Sequence, residues 1–226
     1  PLVNLPPVEG YDLIGDIHGC AVTLERLLQK LGYSKQRGVY RHSKRRAIFL
    51  GDIIDRGPRI REALLLVRQM VEAGSAHMVL GNHEFNAITY CTPQDENARG
   101  HCDYLRPHTS GNNRQIYETL EQFAHYPEEW LAMLQWFRKL PLYLEFGSRS
   151  ANNCFRVVHA CWDHELIHQH QARYHSGCFD EQFVRDSATP GSLAAVTVQV
   201  LTRGVDLPLP AGVKVVSNDG YTRSSF

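Results

Sequence analysis

The chain has 226 residues, of which 43% are hydrophobic and 21% charged, and this composition predicts a globular protein. Its longest apolar runs are shorter than the roughly 18 residues that a membrane span needs. Lysine plus arginine and aspartate plus glutamate number 24 each, so net charge favours neither a nucleic-acid nor a membrane partner, and local charge must hold any anionic substrate. The six cysteines form no CxxC pair and the N-terminus lacks the features of an export signal, so we expect reduced thiols and a cytoplasmic protein.

The first ninety residues alternate short apolar runs with amphipathic segments, which is typical of a layered α/β fold. Strands are predicted at 11–14, 47–50 and 77–80, and each leads directly into a Gly-Asp or Gly-Asn dipeptide. Apolar stripes at helical spacing predict helices around 23–31 and 63–71. The pattern indicates β-α units.

After residue 90 the pattern becomes less regular. Residues 91–126 are polar with few periodic apolar positions, and we interpret them as an irregular, cap-like insertion. Two prolines bound a predicted helix at 128–140. The remaining predicted elements are strands at 142–146 and 155–158 joined by a turn at 147–153, a helix at 192–201, and a brief apolar run at 213–216 within the tail 206–226.

Four short polar motifs follow predicted strands. They are GDIHG at 15–19, GDIIDRG at 51–57, GNHE at 81–84 and VHA at 158–160. Loops converge on a site where strands of layered α/β folds end, and carboxylate, imidazole and amide groups are ligands for divalent metals. One isolated Gly-Asp often makes only a turn or caps a helix, but the ordered series after successive strands favours a metal site.

The GDxHG, GDxxDRG and GNHE blocks resemble the calcineurin-like metallophosphoesterases, and among them the branch related to serine/threonine phosphoprotein phosphatases (PPP type). The resemblance covers residues 11–165. VVHACWD at 157–163 is similar to a bacterial form, whereas the eukaryotic enzymes usually have His-Gly-Gly. The resemblance implies one domain over residues 1–226, folded as a four-layer α/β/β/α sandwich with mixed sheets and metals at the carboxyl ends of the strands.

The resemblance also implies a binuclear metal centre. Asp16 and His18 would bind the first metal, Asp52 would bridge both metals, and Asn82 and His159 would bind the second. Mn²⁺ is the expected cation, with Fe, Zn or Ni as alternatives. Two such cations lie about 3.5–4 Å apart in hydrolases that use a metal-activated water or hydroxide as the nucleophile.

The catalytic roles that the resemblance implies fall on three further groups. His83 would be the general acid that protonates the leaving alkoxide, and Asp55 would orient its ring. Arg56 and the Asn82 amide would hold phosphate oxygens. These roles agree with the chemistry, because an imidazole donates a proton near neutral pH and a guanidinium matches phosphate in a bidentate fork.

The sequence departs from the family pattern at the second metal. The family supplies one further histidine near the C-terminus, whereas no histidine follows His175 here. Either the chain is truncated, or another residue or water fills the position, and a three-ligand site would bind metal more weakly. Arg203 and Arg223 are candidates for a second phosphate contact.

Other histidines and cysteines are expected to be structural or solvated. His164 and His168 would share a solvated helix face, and His77 would support a strand. Cys20 and Cys161 are expected to be small buried side chains without a catalytic role.

The primary hypothesis is a Mn²⁺-type phosphomonoesterase acting on a phosphorylated protein or small molecule, with a serine/threonine protein phosphatase as the specific candidate. The first alternative is a symmetrical bis(5'-nucleosyl)-tetraphosphate hydrolase, which uses the same motifs. A non-catalytic relic that binds phosphorylated ligands is the second alternative, motivated by the missing histidine and opposed by the intact Asp55–His83 pair. The substrate, the native metals, the role of 91–126 and the oligomeric state stay open.

Overall fold

The structure is a computed structural model that describes residues 2–3, 8–94, 103–147, 154–174, 180–216 and 222–223. The elements of the first half are β1 (Leu2–Val3), β2 (Gly10–Ile14), α1 (Ala21–Lys30), β3 (Ser34–Gln36), β4 (Val39–Arg41), β5 (Arg45–Phe49), α2 (Ile60–Glu72), β6 (Ala76–Met78) and α3 (Asn82–Tyr90). Those of the second half are α4 (Ser110–Phe123), α5 (Pro127–Phe137), β7 (Tyr143–Phe146), β8 (Phe155–Val158), α6 (His164–Arg173), α7 (Glu181–Ser187), α8 (Leu193–Arg203), β9 (Val215–Val216) and β10 (Thr222–Arg223).

The first sheet brings the three predicted strands together in parallel, in the order β2-β5-β6. Ile14 pairs with Phe49, and Phe49 pairs with Met78. All three strands therefore end at the same edge, so the loops that follow them converge. The third strand ends at residue 78, two residues before the predicted end at 80.

A second, mixed sheet has the order β1-β7-β8, with β1 parallel and β8 antiparallel to β7. It packs face to face on the first sheet. The residues of this interface are Ile48 and Val79 from one side and Leu144, Phe146 and Val157 from the other. The two sheets form the inner layers of the fold.

Helices cover the outer face of each sheet because strand side chains alternate in direction. Ala47 and Phe49 point away from the sheet interface and pack with Leu28 of α1 and Leu64 of α2 in the main core. Full burial of each such leucine or phenylalanine contributes about 1.5–3 kcal/mol. On the other side, the hydroxyl of Tyr143 accepts a 2.8 Å hydrogen bond from the amide of Gln171 in α6. The four-layer α/β/β/α architecture is confirmed.

The interpretation of 91–126 as irregular is wrong, because α4 lies within this segment. The Thr109 hydroxyl caps the helix by accepting a hydrogen bond from Asn112 N at 3.2 Å. Ile116, Thr119 and Phe123 form its buried face at helical spacing. This face is narrow and one of its members is polar, which explains why the apolar period is weak. Residues 95–102 lie outside the described part of the segment.

The other predicted helices are confirmed with small shifts at their ends. The helix predicted at 128–140 is α5, and the helix predicted at 192–201 is α8, capped by Ser192. The predicted turn at 147–153 lies outside the described residues except at residue 147. The helix face predicted for His164 and His168 belongs to α6, which Asp163 caps, whereas α7, capped by Asp180, was not predicted.

None of the helices in the described residues is long and apolar enough to span a membrane. The expected burial of two cysteines is wrong, since Cys20 is exposed and Cys161 only half-buried. Cys20 precedes α1 at its N-cap position, outside the buried stripe of Ala21, Leu24 and Leu28. The exposed His164 and His168 agree with the predicted solvated helix face.

Candidate metal centre and catalytic site

The loops after β2 and β5 hold four non-glycine residues with positive φ. The angles are 42° for His18, 53° for Asp52, and 68° for both Asp55 and Arg56. Such backbone costs of order 1–3 kcal/mol per residue and persists only where surrounding contacts hold it. The clustering of this strain in two adjacent loops marks the region where the candidate side chains converge.

Asp52 lies at the middle of the cluster. Its Oδ2 atom is 3.6 Å from His159 Nε2 and 3.9 Å from both His18 Nε2 and His83 Nε2. Asp16 Oδ2 is 3.8 Å from His18 Nε2. Two sets of potential ligand atoms, Asp16–Asp52–His159 and His18–Asp52–His83, each lie within 4.8 Å and share Asp52. A shared carboxylate between two ligand sets is the arrangement that a bridging ligand requires.

The imidazoles of His18 and His159 are oriented by backbone carbonyls. His18 Nδ1 donates to Ile54 O at 2.7 Å, and His159 Nδ1 donates to Leu50 O at 2.5 Å. With the proton assigned to Nδ1 by these contacts, each Nε2 turns a lone pair toward the Asp52 carboxylate. The Nε2 lone pairs and the Asp52 oxygen are separated by less than 4 Å, and a cation between them would bind both. These side chains therefore fit divalent metal ions.

Glu84 ties α3 to the loop that carries Asp52. The carboxylate is fully buried and accepts hydrogen bonds from Asp52 N at 2.8 Å, Ile53 N at 2.7 Å and Gly81 N at 3.1 Å. Burial and the nearby charge of Asp52 raise the pKa of Glu84 to about 7, although the backbone N–H groups lower it. Glu84 therefore fixes the relative position of two of the four motifs.

Gly81 permits the close approach of these two motifs. A Cβ atom at this position would overlap the Asp52 carboxylate and its backbone nitrogen. Asp52 Oδ1 also accepts a 3.0 Å hydrogen bond from His83 N. The glycine before Asn82 is thus required by the packing of backbone against the central carboxylate.

His83 and Asp55 form a buried pair beside the cluster. His83 Nδ1 is 2.6 Å from Asp55 Oδ2. Burial by itself would lower the pKa of His83, but the hydrogen bond to Asp55 and the charges of Asp52, Asp55 and Glu84 outweigh it and raise the pKa above its ordinary value. The pair is therefore arranged to hold a proton on the ring, with Nε2 directed at the centre.

Helix α4 supports this pair from the segment that was expected to be irregular. Thr119 Oγ1 accepts a 3.0 Å hydrogen bond from Asp55 N and donates a 2.5 Å bond to Asp55 Oδ1. One turn earlier, Gln115 Oε1 accepts a 3.0 Å bond from Arg106, and Gln115 Nε2 lies 3.2 Å from His83 Nδ1. Because Nδ1 donates its proton to Asp55, Gln115 packs against the ring without forming a hydrogen bond to this nitrogen. Sequence reasoning missed these groups, although the four-residue spacing of Gln115 and Thr119 would place both on one helix face.

The remaining site candidates are placed as follows. Arg56 lies in the strained loop with an exposed side chain, and Asn82 is half-buried at the start of α3. Arg203 is exposed at the end of α8, near the His159 loop, because Ala160 N donates to Leu201 O at 2.9 Å. The Arg223 side chain and His175 lie outside the described residues. His77 is half-buried in β6, with its ring 5.3 Å from that of Phe146.

Comparison with known proteins gives a family match and several relatives. The model of the calcineurin-like phosphoesterase family matches residues 12–194. A bis(5'-nucleosyl)-tetraphosphatase PrpE [asymmetrical] from Oceanobacillus iheyensis is 51% identical over 73 residues, which are 32% of this chain and 29% of the relative. The protein of the same name from Geobacillus sp. strain WCH70 is 32% identical over 147 residues, covering 61% of this chain and 53% of the relative.

The chain therefore spans between about a third and a half of the length of these curated relatives. Among solved structures, a cold-active protein tyrosine phosphatase superposes with a TM-score of 0.50 at 16% identity, covering 84% of this chain and 57% of that chain. This likeness concerns the fold alone.

Proposed function

This chain belongs to the calcineurin-like phosphoesterase family, and we propose that it is a two-metal-dependent phosphatase that hydrolyses phosphoric esters. The observation that carries the proposal is the buried His83–Asp55 pair, whose His83 ring belongs to one of the two groups of potential ligand atoms that share Asp52. A phosphate ester held at the shared carboxylate would have a proton donor within reach of its leaving oxygen.

The residues that would hold the cations are Asp16, His18, Asp52, Asn82 and His159. Carboxylate, imidazole and amide oxygen suit Mn²⁺, and the same set accepts Fe, Zn or Ni. When bound, such a pair of ions supplies Lewis acidity that polarises the phosphoryl group and lowers the pKa of a water toward neutrality. No cysteine takes part in this proposal.

The chain's own groups bind the substrate and move the proton. Arg56 and the Asn82 amide hold phosphate oxygens, since a guanidinium pairs with phosphate through two parallel hydrogen bonds. His83 Nε2 donates its proton to the leaving oxygen, and Asp55 keeps Nδ1 protonated and the ring in place. Glu84 and Thr119 position Asp52 and Asp55 and do not contact the substrate.

Two substrates differ in what they require of His83, and this difference tests the proposal. Nitrophenolate leaves p-nitrophenyl phosphate without a proton, whereas the alkoxide of glycerol phosphate needs one. We expect His83→Ala to lose about 10²–10⁴-fold in kcat/KM on glycerol phosphate with Mn²⁺ present, and clearly less on p-nitrophenyl phosphate. His164→Ala, which removes an exposed histidine from α6, is the matched control.

An equal loss on both substrates would contradict the proton-donor role and would indicate that His83 acts as a metal ligand. Absence of metal-dependent turnover in the wild-type chain would contradict the phosphatase proposal itself.

The substrate that we propose to test first is a dinucleoside tetraphosphate, because the relatives named above carry the name of asymmetrical bis(5'-nucleosyl)-tetraphosphatases. Asymmetrical cleavage of diadenosine tetraphosphate releases ATP and AMP, whereas symmetrical cleavage releases two ADP molecules. Chromatography of the products distinguishes the two modes. Turnover of phosphoserine peptides without turnover of the dinucleotide would instead favour the protein phosphatase hypothesis.

A further inference from the structure

Arg56 lies at the tip of a three-residue turn in the loop after β5. Gly57 N donates a 2.8 Å hydrogen bond to Asp55 O, and this bond closes the turn around Arg56. The φ angle of Arg56 is 68°, as in the classic form of the γ-turn, which is rare and strained. Asp55, the residue before it, has the same positive φ. Backbone of this kind persists only where surrounding contacts hold it.

The direction of the Arg56 side chain depends on this turn. The side chain is exposed, and within the part of the chain that the structure describes no hydrogen bond or ion pair holds its guanidinium. A side chain without a partner takes its direction from its own backbone, because the backbone angles decide which rotamers are open to it. The contacts that fix the turn therefore also fix where the guanidinium can meet a phosphate.

Helix α4 contacts the turn on both sides of its central residue. On the first side, Thr119 Oγ1 accepts the 3.0 Å hydrogen bond from Asp55 N. On the second side, Gln122 Nε2 donates a 3.0 Å hydrogen bond to Gly57 O. Thr119 and Gln122 are three positions apart and share one helix face. Gln122 Oε1 also accepts a 2.6 Å hydrogen bond from Ile60 N, so one amide group binds both the end of the turn and the start of α2.

The turn also packs against the loop that carries His18. A Cβ atom at Gly57 would overlap the backbone of His18 and Gly19, so the two loops touch at this point. Arg59 N adds a 3.0 Å hydrogen bond to Gly19 O. The turn is therefore held by the loop of a proposed metal ligand and by the side chain of Gln122, and loss of the Gln122 amide would release one of these two contacts.

We propose that Gln122 is a positioning residue for Arg56, whose strained turn its amide holds in the geometry from which the guanidinium reaches phosphate oxygens. Gln122 itself does not contact the substrate. It fixes Arg56 through the main chain, whereas Thr119 acts on the proton donor through the Asp55 carboxylate. This inference rests on the proposed phosphatase function, which places a phosphate at Arg56.

Equilibrium binding of phenylphosphonate tests this role without turnover, because its carbon–phosphorus bond is not hydrolysed. With Mn²⁺ at one fixed concentration, calorimetry should show that Arg56→Gln weakens binding about tenfold, the loss of roughly one bidentate contact. Gln122→Met keeps the length of the side chain but removes both hydrogen bonds, and it should weaken binding about three- to tenfold. The variant with both substitutions should bind no more weakly than Arg56→Gln, since Gln122 acts only through Arg56.

Gln171→Met is the matched control. Gln171 in α6 donates a 2.8 Å hydrogen bond to the Tyr143 hydroxyl, outside the second sheet, and its replacement should leave the dissociation constant unchanged. Gln122→Ala adds no bulk and removes the same two hydrogen bonds as Gln122→Met, so it should give a similar loss of affinity. The number of binding sites per chain, obtained from the same titrations, identifies a misfolded fraction, because such a fraction lowers this number and not the affinity of the folded molecules.

An unchanged affinity of Gln122→Met and Gln122→Ala would overturn the positioning role. A double variant whose binding free energy falls by the sum of the two single changes would also overturn it, because Gln122 would then act independently of Arg56. An unchanged affinity of Arg56→Gln would remove the phosphate contact on which the role depends. The phosphatase proposal fails on a different observation, namely absence of Mn²⁺-dependent hydrolysis of p-nitrophenyl phosphate by the wild type.

Discussion

Replacement of Thr119 by valine removes the two hydrogen bonds that tether Asp55 while it preserves the shape of a fully buried side chain. The Asp55 N–H, 3.0 Å from Thr119 Oγ1, loses its acceptor, and the Oδ1 atom of its carboxylate loses a 2.5 Å donor. A buried unsatisfied N–H costs about 1–3 kcal/mol, and a hydrogen bond to a charged group contributes about 1.5–3 kcal/mol. We expect Thr119→Val to lower the free energy of unfolding by about 2.5–6 kcal/mol.

Thr197→Val is the matched control for this prediction. Thr197 is equally buried in α8, but its hydroxyl has no hydrogen-bond partner among the described residues. The same substitution there should be neutral or stabilising, because it removes a buried polar group that makes no bond.

Urea unfolding of both variants without metal measures the difference in stability. Hydrolysis of glycerol phosphate measures the effect on the proton donor, and Thr119→Val should lose about tenfold or more in kcat as His83 loses its fixed partner. Equal unfolding free energies of the two variants, within about 0.5 kcal/mol, would refute the tether between α4 and Asp55.

Three further predictions concern packing, metal binding and pH. Gly81→Ala should lower the free energy of unfolding by about 1–3 kcal/mol, measured by urea unfolding, because the added Cβ overlaps Asp52. Gly111→Ala in α4 is the control and should be neutral or stabilising, because its added Cβ meets open space. Mn²⁺ at a hundredfold excess over its dissociation constant should stabilise the wild type by about 2.7 kcal/mol, and calorimetry should show that Asp52→Asn loses most of this gain. Burial lowers the pKa of His170, so as pH falls below about 6.5 the unfolded chain binds a proton at this residue that the folded chain does not bind, and the wild type becomes less stable. His170→Phe lacks this proton site. In urea unfolding between pH 7.5 and 5.5, its unfolding free energy should therefore fall less than that of the wild type, by up to about 1 kcal/mol.

The central part of the site could be predicted from the sequence because its candidate ligands directly follow regular elements. Each apolar run of the first sheet predicts a strand, and each run is followed by a polar motif. Parallel pairing of β2, β5 and β6 brings their carboxyl ends to one edge, so order along the chain is enough to predict that Asp16, His18 and Asp52 meet.

The hydrogen bonds that support the His83–Asp55 pair could not be predicted from the sequence in the same way. Thr119 contacts Asp55 across 64 positions and Gln115 contacts His83 across 32. Such contacts have no local pattern, since a threonine or glutamine on a polar helix looks the same whether it faces solvent or a buried carboxylate. Helix α4 within the segment 91–126 was not predicted because its buried face is narrow and partly polar.

Local periodicity and strand-end motifs thus determined the strands, the main helices and the identity of the candidate ligands, because these depend on residues close together in the chain. The hydrogen bonds by which Glu84 and Thr119 hold Asp52 and Asp55 arose only when distant segments packed together. Burial then made their hydrogen bonds obligatory, because a polar group removed from water must find its partner within the protein.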